Sequence, residues 1–518
     1  MVVGSTSLRA RAGLGVLVAG YLFLDLAAAA PNSPLTPALP AGDGPPRWAI
    51  RGAGWLGLDG VSRTGLTVTS ILALALLLGA LALVLVEAWR GRVGLQTVMA
   101  CVIVSLGLAV AAPVLLSRDV YSYAAYGRIF ALHGANPYVV PPSAFPSDPF
   151  VRVASREWID APSVYGPAFT VISAGVAKFW GGSIAATLLA FKVIAALSVG
   201  GACLLAVKAA EVLRPGREAV AAAAIGLNPV VIVHTVGGGH NDALLALCLI
   251  AGLALAVWSE SPSGRRGRNG QVTGTAYLGT TGLLTVAVLI KSVAVPALVL
   301  WLWHVFRRAS ADRRGVAIVS HSALVVALAG AAFAPFAAGT RTARALLSVA
   351  SRQGWASGPG LVARGAGALG RAVAGGAGGV ALETVVSAAF AALFLALFWR
   401  ILVRSDTRDQ ADAWGTSMLL LALAAPYLLP WYTAWFLPFA VVLEDPALTV
   451  VALSAAGLLA LTGVPAEPGT DPGLWQSMML GVHYGAAPLM LAMLGGAVRR
   501  TLARERRGAA LRASRRSE

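Results

Sequence analysis

The stretch QTVMACVIVSLGLAVAAPVLL, residues 96–116, runs directly into Ser117-Arg118-Asp119-Val120-Tyr121-Ser122-Tyr123, and this junction decides how the chain is read. A helix needs about 20 predominantly apolar residues to cross the hydrocarbon of a bilayer. Residues 96–116 meet that requirement, as do Leu66–Val86, Val316–Phe333 and Val380–Phe398. Hydrophobic residues make up 57% of the 518 and charged ones only 12%, with a mean hydropathy of +0.75, so the bilayer is the solvent for most of the chain. The expectation is an all-α integral membrane protein, one polytopic domain over residues 1–518 with about 12–14 transmembrane helices.

The net charge of +17 is explained by topology and needs no nucleic-acid partner. Arg9/Arg11, Arg90/Arg92, Lys208/Arg214/Arg217, Arg265/Arg266/Arg268, Arg307/Arg308/Arg313/Arg314 and Arg400/Arg404/Arg408 cluster between alternate pairs of spans, and 499–518 forms a basic tail. That alternation is the positive-inside pattern, and it puts both termini in the cytoplasm of a multi-pass plasma-membrane protein. Arg9, Arg11, a short apolar run and Ala28-Ala29-Ala30 also fit the outline of a cleaved signal peptide. The first span is read as retained, and the sidedness of everything downstream is the same either way. Cys101, Cys203 and Cys248 all lie in apolar runs without metal-ligand spacing, which argues against a zinc site or a disulfide framework.

This topology leaves three long stretches on the outer side: 31–63, 117–163 and 336–378. The second is the candidate catalytic loop. Ionisable groups at the ends of apolar spans are costly to keep, which makes them functional candidates. Asp119 comes first, as a potential general base among Arg118, Tyr121, Tyr123, Tyr126 and Arg128. Aromatic faces beside a carboxylate suit a sugar, whose C–H faces stack while its hydroxyls need acceptors. The bland alternative is an interfacial anchor pair, Arg118 with Asp119. An unperturbed Asp is already ionised at neutral pH.

Four further groups face the same side. Gly237-Gly238-Gly239-His240-Asn241-Asp242 reads either as the N-cap of a span starting at Ala243 or as a site for hydroxyls or phosphate. Lys291 lies between two short apolar segments, 275–290 and 292–306, that read as broken half-helices. Arg341, Arg344 and Arg352 follow on the third outer stretch and could meet a phosphate, though a solvated helix face is the simpler reading of Arg341 and Arg344. The hairpin holding Tyr427, Trp431, Tyr432 and Trp435 reads first as an interfacial aromatic belt and otherwise as the lining of an entrance. No P-loop or dinucleotide fingerprint is present, no cofactor is indicated with certainty, and a divalent cation is left open.

The string Ser117-Arg118-Asp119-Val120-Tyr121-Ser122-Tyr123, then Asn136-Pro137-Tyr138, Tyr165-Gly166-Pro167, Asn228-Pro229 and Gly238-Gly239-His240-Asn241-Asp242, resembles the polyprenol-phosphomannose-dependent α-1,6-mannosyltransferases of lipomannan assembly, members of the GT-C superfamily. Each motif is weak by itself; in this order they are specific. The resemblance implies a GT-C fold whose essential acid, carried on an early outer loop, corresponds here to Asp119. An earlier outer loop, with Asp43 and Asp59, precedes it, but those acids lack aromatic neighbours. The resemblance also implies mannose transfer with inversion from a polyprenyl-phosphate donor to a mannan or glycolipid acceptor, the backbone of lipomannan or lipoarabinomannan, among membrane lipids. Arg128, Lys291 and Arg341/Arg344 would meet the departing phosphate, and Tyr165, His240, Asn241, Asp242, Trp431 and Tyr432 would line the substrates. The rival readings are a transporter or flippase of lipid-linked sugars, another hexosyl- or pentosyltransferase of the superfamily, and a scaffold for which Asp119 is dispensable.

Overall fold

The computed structural model describes residues 6–37, 44–260, 274–347, 354–404, 410–464 and 472–517, with side chains as far as 504 at the C-terminal end. Asp43, Arg265, Arg266, Arg268, Arg352, Arg408 and the side chains of the tail arginines beyond 504 lie outside these residues.

All regular structure among the described residues is helical. Seven helices are long and apolar enough to cross a membrane: Leu8–Ala28, Arg63–Trp89, Ile184–Leu213, Asp242–Glu260, Arg314–Phe336, Gly358–Arg404 and Gly473–Arg504. The pair Glu218–Gly226 and Val230–Val236, bent by 44°, makes an eighth if counted as one span. The expected 12–14 is approached only by adding short apolar helices such as Leu95–Ala111, Thr275–Ile290 and Pro446–Ala460. Hydropathy registers a short helix buried among its neighbours as strongly as one that spans lipid.

Small residues set how closely the helices approach. A Cβ on Gly13 would lie 2.9 Å from Val84, and one on Gly20 would lie 2.7 Å from Leu77, so Leu8–Ala28 lies tightly on Arg63–Trp89. Asn228 mends the backbone where the bent pair breaks: its side chain donates to the Ala224 carbonyl at 3.2 Å and accepts from the Val230 amide at 3.2 Å. The Tyr21 hydroxyl donates to the free Leu227 carbonyl at 2.6 Å. The exposed carbonyl and amide of a broken span are costly in a low-dielectric bundle, so these side chains make the break tolerable.

The polar stretch 117–163 is not an open loop. It begins with the helix Asp119–Ala131, whose residues Val120 to Gly127 are all buried, packed on the helix Pro167–Trp180. Gly127 permits that contact, because a Cβ there would fall 2.2 Å from the Ser173 carbonyl oxygen. The Gly358–Arg404 helix is likewise two helices, reversing at Gly375 with φ +68°; Gly370 then lies against the Gly378 carbonyl.

Candidate active site

The Asp119 helix starts from a strained turn. Leu116, a non-glycine residue, has φ +58°, a conformation that costs energy unless its surroundings impose it. Here the backbone is held from two sides: the Leu115 amide donates to the Gly237 carbonyl at 3.0 Å and the Leu116 amide to the Leu35 carbonyl at 2.7 Å. Just upstream, the buried Lys192 ammonium donates to the carbonyls of Ala112 and Pro113 at 2.5 and 3.0 Å. The consequence is a fixed direction for the first turn of the helix, where Asp119 stands.

The glycine triplet serves the same junction. A Cβ on Gly237 would meet Leu115 at 2.8 Å, one on Gly238 would meet the His240 ring at 2.7 Å, and Gly239 has φ +67°. The turn therefore closes tightly over Leu115 and delivers His240 beside Asp119, with Nδ1 3.7 Å from a carboxylate oxygen. His240 Nδ1 is also 3.3 Å from the Tyr123 hydroxyl, which reaches the Asn241 side-chain oxygen at 3.4 Å. On the other side the His240 ring stacks on Trp431, with centroids 3.7 Å apart and planes at 16°. The Trp431 hairpin is the short helix Pro430–Trp435, with Trp431, Tyr432 and Trp435 all buried. The interfacial-belt reading is thus corrected: these rings pack inward on the centre and do not face the lipid boundary.

Lys291 and Asp242 form the opposite wall. Thr275–Ile290 and Val295–Arg308 meet at Lys291 as expected, and its ammonium lies 2.8 and 3.1 Å from the two Asp242 oxygens. The Trp435 indole donates to the same carboxylate at 2.7 Å. Lys291 also lies over the Tyr432 ring, 4.3 Å from its centroid. Asp242 is the first residue of its helix, but its carboxylate is committed to Lys291 and Trp435, which overturns the simple N-cap reading. Tyr165-Gly166-Pro167 acts from below. The Gly166 amide donates to the Ile290 carbonyl at 3.0 Å, and a Cβ there would sit 2.1 Å from the Leu289 carbonyl oxygen. Only glycine lets the chain press against the residues that carry Lys291, and Tyr165 then packs edge-on against Tyr123, with centroids 4.8 Å apart.

Burial dominates the electrostatics. It raises the Asp119 carboxyl to about 7; Lys291 opposes the rise, while Asp242 and Glu157 add to it. The expectation of an ordinary, fully ionised Asp is corrected accordingly. Burial, with Lys291 and His234 nearby, holds the His240 imidazole well below its usual range, so it is neutral. Burial raises the phenol groups of Tyr123 and Tyr165, and Asp119 adds to both shifts.

Other candidates lie elsewhere. Arg128 is at the far end of the Asp119 helix, about 13 Å along the axis at 1.5 Å per residue. There its Nε–H is shared between the two Asp148 oxygens at 3.0 and 2.8 Å, and its Nη1 donates to the Gly181 carbonyl at 2.6 Å. Arg118 donates to the Val153 carbonyl at 3.0 Å, and Tyr121 is buried in the same helix. Arg341 and Arg344 stand exposed on the short helix Thr340–Leu347. Among the described residues no group of three or more His, Cys, Asp or Glu side chains is placed to hold a metal ion. Sequence reasoning passed over Lys192 and the buried Asp25, each a single charge inside an apolar run; that isolation was the signal that could have found them.

The model of a known family, described as Alpha-(1->6)-mannopyranosyltransferase, N-terminal domain, matches residues 8–307. That range includes Asp119, His240, Asp242 and Lys291 and stops short of the Trp431 hairpin. Alpha-(1->6)-mannopyranosyltransferase A of Mycobacterium tuberculosis is 29% identical over 392 residues, which cover 70% of this chain and 69% of that protein. Its namesake in Corynebacterium glutamicum is 30% identical over 259 residues, 48% of this chain and 46% of that protein, so the match spans less than half of the latter's length. Alpha-(1->6)-mannopyranosyltransferase B of the same organism is 32% identical over 145 residues, covering 28% and 24%. No solved structure matches. A strained helix start presenting a desolvated carboxylate to a histidine, inside a bundle of membrane-length helices, accompanies these sequence matches, and the chain belongs to the alpha-(1->6)-mannopyranosyltransferase family.

Proposed function

We propose that this chain transfers mannose from a polyprenyl-phosphate-mannose donor to a hydroxyl of a growing α-1,6-mannan, the lipomannan or lipoarabinomannan backbone, on the outer side of the plasma membrane. The observation that carries this reading is Asp119: a carboxylate at the head of a buried helix, raised to about 7, with the neutral His240 ring 3.7 Å away. A base poised near neutral pH suits removal of a proton from an alcohol as that alcohol becomes a nucleophile. Family membership and the multi-pass helical fold support the same direction.

In the proposed reaction the acceptor 6-hydroxyl gives its proton to Asp119 while its oxygen attacks the mannose C1. The C1–O bond to phosphate breaks, its electron pair leaves with the lipid phosphate, and the anomeric centre inverts. A phosphate is a competent leaving group, so the protein's task is positioning and charge stabilisation. Neutral His240, fixed by Trp431 and Tyr123, orients hydroxyls next to Asp119. Asp242, fully buried and held by Lys291 and Trp435, fixes the Lys291 ammonium against the stacked Tyr432 and Trp435 rings. Lys291 contributes positive charge, but Asp242 already balances it. Arg128, committed to Asp148, and the exposed Arg341 and Arg344 are weaker partners for the leaving group on this geometry.

The test is transfer by purified full-length protein from polyprenyl-phosphate mannose to an α-1,6-mannan oligosaccharide, with linkage analysis of the product. The expected product is a new α-1,6 bond that fails to form in Asp119→Asn. Movement of lipid-linked sugar across vesicles without bond formation would replace this reading with transport.

A further inference from the structure

Of the cations considered for the departing phosphate, Lys291 is balanced by Asp242, Arg128 by Asp148, and Arg341 and Arg344 stand in the open. Arg364 differs from all of them. It is half-buried in the first part of the Gly358–Arg404 helix, and among the described residues no carboxylate lies within ion-pair range of it. Its neighbour Glu383 pairs with Arg371 instead, at 2.9 Å. The guanidinium donates through Nη1 to the Gly354 carbonyl at 3.1 Å and through Nη2 to His483 Nδ1 at 2.9 Å, leaving the buried Nε–H without a partner. Since His483 accepts at Nδ1, the neutral ring carries its proton on Nε2, as a further donor. Trp355 lies over the guanidinium at 5.2 Å, edge-on to both Trp475 and His483. A partly desolvated guanidinium that makes no close ion pair and has an Nε–H to spare suits an anion, and its planar fork matches the oxygens of a phosphate.

The position of this cluster indicates which phosphate. Trp355 is 42% and Tyr484 69% exposed, and Leu369, Val373 and Leu489 on the same two helical segments are exposed as well. On the inner side, the Gly354 amide donates to the Pro426 carbonyl at 2.9 Å and the Ser357 hydroxyl to the Ala425 carbonyl at 2.6 Å. A Cβ on Gly360 would be tight there, 3.0 Å from the Pro426 carbonyl oxygen. That segment leads within a few residues to Trp431, the ring stacked on His240. The cluster is thus tied through the Ala425 and Pro426 carbonyls to the segment that carries Trp431, and the exposed apolar side chains on its own helices suit a hydrocarbon chain.

We propose that Arg364, with His483 and Trp355, forms a docking subsite for the phosphate of a polyprenyl lipid at the lateral edge of the active centre. The assignment rests on the polyprenyl-phosphate donor reading above and adds the place where that donor engages the protein and its lipid product is held.

The experiment uses the full-length protein in nanodiscs and measures retention of a polyprenyl phosphate, with phosphatidylglycerol and inorganic phosphate as comparison probes. Loss of a charge-assisted contact should weaken polyprenyl phosphate binding by about tenfold or more in Arg364→Gln, while Asp119→Asn binds as the wild type does. In the transfer assay the same variant should raise KM for the donor by a similar factor and change kcat much less. Trp355→Leu, which keeps the cation, should weaken binding about threefold, and it decides the matter if Arg364→Gln does not fold. Unchanged binding in the folded variant would overturn the proposal. Equal retention of phosphatidylglycerol or inorganic phosphate would also overturn it, because the site would then serve ordinary headgroups or free anions. If the wild type forms no glycosidic bond yet retains polyprenyl phosphate through Arg364, the transfer reading fails and the subsite stands.

Discussion

The two ends of the helix Asp119–Ala131 each hold a carboxylate beside a histidine, and they are built in opposite ways. At the Arg128 end, Asp148 accepts the Arg128 Nε–H on both oxygens, one bond from His133 at 2.9 Å and one from the Phe150 amide at 2.9 Å. Burial alone would raise its carboxyl, but those bonds outweigh burial and hold it below the usual range. At the other end burial meets no such set of donors, and Asp119 rises to about 7. The helix dipole cannot account for the difference, because it favours the anion at Asp119's end. What differs is the number of donors, so one carboxylate is a fixed structural charge and the other is left able to exchange a proton at neutral pH.

The largest test of that contrast is to remove each acid. Asp119→Asn should lower transfer by about 10²–10⁴-fold, the range for a general base, with the folded state at least as stable as the wild type's because a desolvated charge is gone. Asp148→Asn should do the reverse, costing about 3–5 kcal/mol of stability by stranding Arg128, whose side chain is only 12% exposed. Thermal unfolding beside initial rates separates the two. A catalytically dead but fully stable Asp148→Asn would break the comparison.

The pH profile sharpens it. Asp119 must be ionised to accept a proton, so kcat/KM should fall about tenfold per pH unit below about 7. Asp148 has a depressed value, so its contribution to stability is complete above the ordinary carboxylate range and is lost only as pH falls through its lowered one. Between these limits the protein should remain folded while losing activity. A rate that is flat down to pH 5 in folded protein would remove Asp119 from the role of base.

The smallest effect concerns the partner ring. Trp431→Leu removes the stacking on His240 and should cost about 0.5–1.5 kcal/mol in transition-state stabilisation, a few-fold in kcat/KM, without moving the pH midpoint. A shift in that midpoint would mean that Trp431 governs the desolvation of Asp119 as well as the position of His240.

Much of this was legible from residue order. Period and length of the apolar runs gave the helical membrane class, and charge at a run's end singled out Asp119 and Lys291. The glycine and proline motifs marked turns whose purpose the sequence left open. Gly166 is needed because it touches the carbonyls before Lys291, more than a hundred residues away, and Gly237 because it touches Leu115. Nothing local announces such contacts. The aromatic hairpin was misread for the same reason: Trp and Tyr near a span's end have the same composition whether they face headgroups or a histidine.

The sequence by itself determined where the chain is apolar, where its rare charges stand and which family it belongs to, because hydropathy and motif order are properties of neighbouring residues. Only the tertiary structure decided which charges are spent on one another and which are not. Asp242 met Lys291, Asp148 met Arg128, and among the described residues Asp119 and Arg364 were left without a Lys, Arg or carboxylate partner in ion-pair contact. Desolvation and ion pairing depend on what surrounds a group in space, and here the surroundings come from helices far apart in the chain.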